Sequence, residues 1–239
     1  MQWLIVTAAA SYLFGSFRLS LLLAGLVCEI LYLLLRALAM GRLPLVGPHD
    51  TLLFFSASIV LLSLPFLRSP ALTGERNFTW LVGVSACCFL LPGLLFPAYV
   101  MPMPPILRTL WFELHVALAF FAYSLFVLGA LLGGRFLLGG QRASLDLQYR
   151  AILVGFTFFS LSMITGGIWG YYAWGTYWLW TAKELWTSIL WIYYSLWLHL
   201  RLKGEGMERI VAWGGIAGLL ITLFTYLGVS LLMKSSHSF

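Results

Sequence analysis

Apolar runs of about 17–24 residues succeed one another along nearly the whole chain, and short segments between them hold most of the charge. Only 9% of the residues are charged and 62% are hydrophobic, whereas soluble domains carry roughly 25% charged residues. A globule of 239 residues with this composition has too little polar surface to face water. The runs do not alternate with period two, so a lipid-facing β-barrel is excluded. Helices that satisfy their own backbone hydrogen bonds are the remaining way to cross a bilayer. The sequence therefore predicts an all-α fold, a polytopic transmembrane helical bundle of about eight spans. They fall at 1–16, 19–38, 51–67, 78–98, 111–133, 151–170, 184–200 and 209–232. The first run is short, but it lacks the basic start of a secretory signal and is read as retained. No long polar stretch, repeat or low-complexity segment breaks the chain. A single domain over residues 1–239 is expected.

Lys and Arg in the short connections set the orientation. Arg135, Arg142 and Arg150, then Arg201, Lys203 and Arg209, and finally Arg68 and Arg76 mark three connections as cytoplasmic. Eight spans then leave both termini external, with 39–50, 99–110 and 171–183 on the same outer side. Arg36 and Arg42 run against this rule. The net charge of +6 reflects the inside bias and contact with anionic membrane lipid, and implies no nucleic-acid partner.

Within this frame one segment is unlike an ordinary span end. Seven of the twelve residues from Trp169 to Trp180 are aromatic, and Lys183, Glu184 and Trp186 follow. An interfacial belt usually places one or two rings at a helix end. Seven, with Gly170 and Gly175 to turn the backbone, make a platform on which a flat molecule can lie. Four histidines accompany it. His115 lies one turn into the fifth span, four residues after Trp111 and on the same face. His237 lies in the tail, His199 near the cytoplasmic end of the seventh span, and His49 in the external loop 39–50. Each alone reads as an interfacial imidazole. The Lys and Arg distribution, however, puts His115 and His237 on the same surface as the platform. Neutral imidazole is the usual nitrogen ligand of heme iron, so the flat molecule expected is heme.

At these residues the chain resembles a known family. The run from Trp174 through Trp178, Trp180, Lys183 and Glu184 to Trp186 is similar to the tryptophan-rich "WWD" signature of heme-handling proteins. Its Lys-Glu-x-Trp ending resembles the CcsA/ResC type of cytochrome c assembly protein, of the two-component pathway (system II), more than the CcmC type. Leu114-His115-Val116 with Tyr123, Tyr226-Leu-Gly-Val with His237-Ser238, and Arg36, Gly41 and Pro44 resemble further parts of it. Three departures stand out. Thr181-Ala182 replaces the Asp-Pro of the signature, Pro48-His49-Asp50-Thr51 replaces an early Asn-x-Tyr-Glu stretch, and the tail ends at Phe239 without Tyr-Gly.

The resemblance implies a heme-handling subunit of a cytochrome c synthetase, with heme b as cargo. His115 and His237 are then external axial ligands of the heme iron, and His199 is a ligand on the cytoplasmic side, where heme enters. Trp174, Trp178 and Trp180 stack on the porphyrin or donate to it, and Lys183 pairs with a propionate, with Arg108 and Lys234 as further candidates. The partners implied are a Ccs1/ResB-type membrane protein and an apocytochrome c carrying Cys-x-x-Cys-His. The membrane implied is a cell (inner) or thylakoid-type membrane with the Trp-rich segment outside. A heme exporter or chaperone without ligation activity is the alternative, and an unrelated transporter gated by the aromatic loop is a third reading.

Two features sit outside that scheme. Glu29 falls mid-span, where a carboxylate is expensive. Arg36 shares its face two turns on, so pairing, a neutral buried acid or a part in heme passage are the expectations. Cys28, Cys87 and Cys88 lie within spans, make no Cys-x-x-Cys pair and read as packing residues.

Overall fold

The computed structural model describes residues 2–14, 18–99, 103–203 and 206–232. The described chain is helical, with no strand. The helices are α1 (Gln2–Phe14), α2 (Leu19–Met40), α3 (Pro48–Leu67), α4 (Arg76–Gly93), α5 (Leu110–Gly139), α6 (Arg142–Trp174), α7 (Ala182–Arg201) and α8 (Glu208–Leu223). A π turn at Phe224–Gly228 continues into a last short helix, α9 (Val229–Leu232). Five of these helical stretches are long and apolar enough to cross a membrane: α2, α3, α5, α6 and Glu208–Leu232. The other three spans of the sequence reading correspond to α1, α4 and α7. Of these, α1 has only 13 residues, and α7 mixes polar-edged rings at Trp186, Trp191, Tyr193, Tyr194 and Trp197 with its aliphatic side chains and carries charge at both ends.

Contacts cluster into two compact units, Met1–Met103 and Pro104–Phe239. In the first, α1 packs against α2 and α4, and α3 against α4. The Tyr12 ring fills the place that a side chain at Gly25 would need, with a Cβ there 2.7 Å from Tyr12 Cε1. Small residues at such crossings let helix backbones approach without a hydrophobic force between them. Glu29 is fully buried; its Oε2 accepts from the Tyr12 hydroxyl at 2.6 Å and from Ser56 Oγ at 3.3 Å. Arg36 does not reach back to Glu29. It forms a two-pronged ion pair with Asp50, Nε to Oδ1 at 2.6 Å and Nη2 to Oδ2 at 3.0 Å, and donates to the Ala98 carbonyl at 3.2 Å. Pairing with Glu29 was one of the expectations left open; the start of α3 instead places the Asp50 carboxylate directly against the guanidinium in fork geometry, and Glu29 is held by the two hydroxyls.

The second unit is built on the antiparallel pair α5 and α6, with α8 and α7 packed on it. Both long helices run past the apolar bands read from the sequence. Residues 134–150, expected as a connection, are almost wholly helical, because the break is confined to Gly140, left-handed at φ 66°, and the extended Gln141. At 30 and 33 residues these helices are about 45–50 Å long at 1.5 Å per residue, so their polar ends project beyond a ~30 Å hydrocarbon core. At one end of the unit Arg201 pairs with Asp146 at 2.8 Å and Arg142 approaches Glu208 at 3.7 Å. The start of α6, the end of α7 and the start of α8 therefore meet there. The opposite end carries the start of α5, the end of α6 and the aromatic run.

Candidate functional site

Three local devices build the aromatic end of the second unit. The first starts α5. Thr109 caps it, accepting from Phe112 N at 3.2 Å, and this sets His115 in the second turn. The second ends α6. Trp174 is its last residue, and Gly175 takes the left-handed conformation at φ 74° that a turn-back requires. Segment 176–177 then lies over α6 at Gly167 and Gly170, where a Cβ would be only 3.5 Å and 3.3 Å from backbone oxygens of the loop. The third starts α7. Thr181 is the N-cap, its hydroxyl accepts from Glu184 N at 3.3 Å, and Glu184 Oε2 accepts from Thr181 N at 2.9 Å, forming a capping box. The same Glu184 oxygen accepts from Leu179 N at 2.9 Å. Glu184, two residues beyond the Thr181-Ala182 replacement, is thus the carboxylate that orders the end of the run.

His115 sits in the groove between α5 and α6. Its Nδ1 lies 2.8 Å from the Ser162 carbonyl oxygen and 3.1 Å from Ser162 Oγ, while that hydroxyl donates to the His115 carbonyl at 2.8 Å. A carbonyl only accepts, so Nδ1 carries the ring proton and the lone pair lies on Nε2. The imidazole is nearly parallel to the Trp169 indole, with centroids 6.5 Å apart and planes 10° apart. Trp169 is buried, donates its indole N–H to the Ile106 carbonyl at 2.9 Å, and packs edge-on against Trp174 at 4.7 Å and tilted against Phe112 at 5.3 Å. His115, Trp169 and Trp174 therefore form one contiguous row.

The other predicted residues are dispersed around this row. Trp178 is half-buried, and its carbonyl accepts from Thr176 Oγ at 3.3 Å. Trp180 is 72% exposed and holds φ 57°, a left-handed conformation that a bulky side chain adopts only when its surroundings impose it. Tyr171 and Tyr177 stack at 4.7 Å beside it in the run. Lys183 is half-buried in the first turn of α7, donates to Ser230 Oγ of α9 at 3.3 Å, and has its pKa lowered by desolvation. Arg108 is exposed at the entry to α5. His199 is exposed in the last turn of α7, with Nδ1 bonded to the Ser195 carbonyl of its own helix at 2.7 Å. It stands about 27 Å along that helix from Thr181, at the end of the unit where Arg201 meets Asp146. His237 and Lys234 lie outside the described residues. In the first unit His49 is buried; Nδ1 donates to the Gly93 carbonyl at 2.9 Å and Nε2 accepts from the Tyr32 hydroxyl at 2.8 Å. Both of its nitrogens are engaged.

Two residues beside the row, Ser162 and Gly166, were not singled out from sequence; Trp169 was, as the start of the aromatic run. The spacing of the three, i, i+4 and i+7, puts them on one face of α6, and that face meets His115. Gly166 gives the ring its room, since a Cβ there would lie 2.6 Å from Nδ1.

These observations define a class first: an integral membrane protein, all-helical, with a histidine seated beside an ordered aromatic loop at one end of a helix pair. The comparisons with known proteins narrow it. The chain belongs to the cytochrome C assembly protein family, whose sequence profile matches residues 14–237. It is 30% identical to a cytochrome c biogenesis protein CcsA of Prochlorococcus marinus (strain AS9601), over 93% of this chain and 84% of the relative. The CcsA of Chlamydomonas reinhardtii is likewise 30% identical, over 88% of this chain and 64% of that longer protein. A Synechococcus CcsA (strain RCC307) is 29% identical, over 87% of this chain and 79% of its own length. The chain accordingly has a role in cytochrome c biogenesis.

Proposed function

We propose that the chain is the heme-handling subunit of a cytochrome c synthetase, working with a Ccs1/ResB-type membrane partner. One observation carries the reading. His115 is oriented through its Nδ1 proton with its ring alongside Trp169, at the same end of the unit as the Trp-rich run. Heme iron takes neutral imidazole through one nitrogen while the other donates to a fixed acceptor, and the His115 arrangement has that form. His237 is the second external ligand in this reading, and His199, at the far end of α7, is the ligand on the entry side. Trp174, Trp178 and Trp180 give the porphyrin its stacking surface. Lys183 at the start of α7 offers a cation to a propionate. Eight crossings, with α1, α4 and α7 included, put the aromatic end outside the membrane.

The reaction served is addition of two cysteine thiols of an apocytochrome across the two heme vinyl groups. In each addition a C–S bond forms, the S–H bond breaks, and its proton goes to the other vinyl carbon, with no net change of oxidation state. No side chain of the chain need act as nucleophile. Its task is to hold heme, the substrate, with the vinyl edge presented, and fixed orientation lowers the barrier to such a bimolecular step. Heme relay without ligation is the second reading, favoured by Thr181 standing where the signature has an acid.

The test is the oxidised and reduced absorption spectrum of the chain purified with its partner, for wild type, His115→Ala and His237→Ala. Six-coordinate low-spin heme, weakened or lost in either variant, is expected. Absence of heme, or a spectrum indifferent to both substitutions, would overturn the reading. Maturation of a reporter cytochrome c in a host lacking its own pathway then separates ligation from relay.

A further inference from the structure

We propose that Ser162 is a positioning residue for the heme ligand His115, acting through both its carbonyl and its hydroxyl on Nδ1, with Gly166 providing the space that lets them reach it. The inference rests on the reading of His115 as an iron ligand and adds to it what fixes and tunes that ligand.

The geometry is unusually complete for one residue. The Ser162 carbonyl lies 2.8 Å from Nδ1, the hydroxyl 3.1 Å from the same nitrogen, and the hydroxyl proton is directed to the His115 carbonyl at 2.8 Å. The serine thus accepts from the ring twice and holds the backbone that bears the ring. Its side chain is buried, 1% exposed, so water does not compete for these bonds. Serine in a helix commonly donates to the carbonyl four residues back in its own helix, as Ser160 does to Phe156; Ser162 instead spans to the neighbouring helix. Trp169 lies nearly parallel to the imidazole at a centroid distance of 6.5 Å. One face of α6 therefore supplies acceptor, space and a neighbouring aromatic ring at positions 162, 166 and 169.

The chemical consequence concerns the iron. Pinning the proton on Nδ1 makes Nε2 the ligating nitrogen. An acceptor pulling on Nδ1–H gives the ring imidazolate character, which makes it a stronger donor and stabilises ferric over ferrous heme. A serine that merely packed α5 against α6 would affect folding yield but leave the potential of the bound heme unchanged.

The experiment uses the full chain purified with its partner and loaded with heme, in wild type, Ser162→Ala, Ser162→Thr, Gly166→Ala and His115→Ala. Ser162→Ala removes one of the two acceptors, so heme affinity is expected to fall about tenfold, the lower end for outer-shell groups. The midpoint potential is expected to move in the positive direction and to return toward wild type in Ser162→Thr. Gly166→Ala pushes the ring off both acceptors and is expected to move the potential the same way and further. It also supplies the reading if Ser162→Ala yields no heme protein. Heme bound at wild-type potential in Ser162→Ala and Gly166→Ala would overturn the inference while leaving the ligand intact. An unaltered heme spectrum in His115→Ala would instead overturn the ligand reading itself.

Discussion

Removing the Glu184 carboxylate should loosen the aromatic loop without touching any ring. Glu184 Oε2 takes two backbone donors, Leu179 N and Thr181 N, each at 2.9 Å, and these bracket Trp180. Both sites are partly solvated, so each bond contributes about 1 kcal/mol net, and together about 2 kcal/mol. Opposing them is the left-handed conformation of Trp180, which costs roughly 1–3 kcal/mol for a side chain of this kind. The two terms nearly cancel, so the ordered loop depends on the carboxylate. Its loss in Glu184→Ala shifts the balance between ordered and open loop by roughly 30-fold, at tenfold per 1.4 kcal/mol. Apparent heme affinity falls with the fraction of binding-competent loop, and a loss of about 5- to 30-fold is expected. Glu184→Gln keeps one acceptor oxygen and should lose less. Hydrogen exchange at the amides of Leu179 and Thr181 reads the ordering directly, and a heme titration reads its consequence. Equal exchange in wild type and Glu184→Ala would refute the account of the loop. Faster exchange with unchanged heme affinity would refute its link to binding.

Three further outcomes follow from the same structure. The Lys183 ammonium is penalised by desolvation, so its charge is lost at lower pH than that of an ordinary lysine. Heme affinity should therefore decline as pH rises through that lowered value, and Lys183→Met should flatten this alkaline limb in a titration series. Asp50→Ala leaves the buried Arg36 guanidinium without its carboxylate and should destabilise the first unit by about 3–5 kcal/mol, measured by thermal unfolding in detergent. Glu29→Gln keeps an oxygen to receive the Tyr12 and Ser56 hydroxyls and should be nearly neutral. Glu29→Leu orphans both donors and should cost about 1–3 kcal/mol in the same assay.

The helical membrane fold was legible because lipid leaves few alternatives. Apolar length located the eight longer helices among the described residues, and Gly175 marked where the aromatic loop leaves α6; Gly170, read as a second turn, lies inside that helix, and the start of α7 after Thr181 was not foreseen. Helix ends were less legible. Arg135, Arg142 and Arg150 made residues 134–150 read as a connection, yet only Gly140 and Gln141 fall outside the two helices. Ring chemistry made His115 and Trp174 conspicuous, whereas Ser162 and Gly166 are commonplace residues in an apolar helix. Their part depends on which face of α6 meets α5, and a run of apolar residues without polar contrast does not announce that face. The partner of Arg36 was left open for a related reason: same-helix spacing is visible in a sequence, and the carboxylate brought in by α3 is not. The π turn at Phe224–Gly228 likewise has no signal in composition.

The three described histidines show why residue type alone does not define a ligand. In each, Nδ1 faces a backbone carbonyl: Gly93 for His49, Ser162 for His115, Ser195 for His199. The tautomer is therefore common to all and discriminates nothing. What differs is how each ring is tied to its surroundings. His49 is closed on its second nitrogen by the Tyr32 hydroxyl and acts as a strut joining α2, α3 and α4, so its polarity is used up in holding the first unit together. His199 is bonded only to its own helix among the described residues, so its ring can follow a ligand but does not impose a position on one. His115 is bonded across helices, flanked by an aromatic plane, and admitted by a glycine opposite. His49 and His115 both have their orientation set by neighbouring helices, and of these two His115 is the one that stands at the aromatic end of the second unit. In the proposed reading the α5–α6 pair bears the ligand, while the flat surface beside it rests on a loop tied to the Glu184 carboxylate. If His115 is the iron ligand as proposed, such a division would let the site hold the iron on fixed helices and give up the macrocycle by opening the loop.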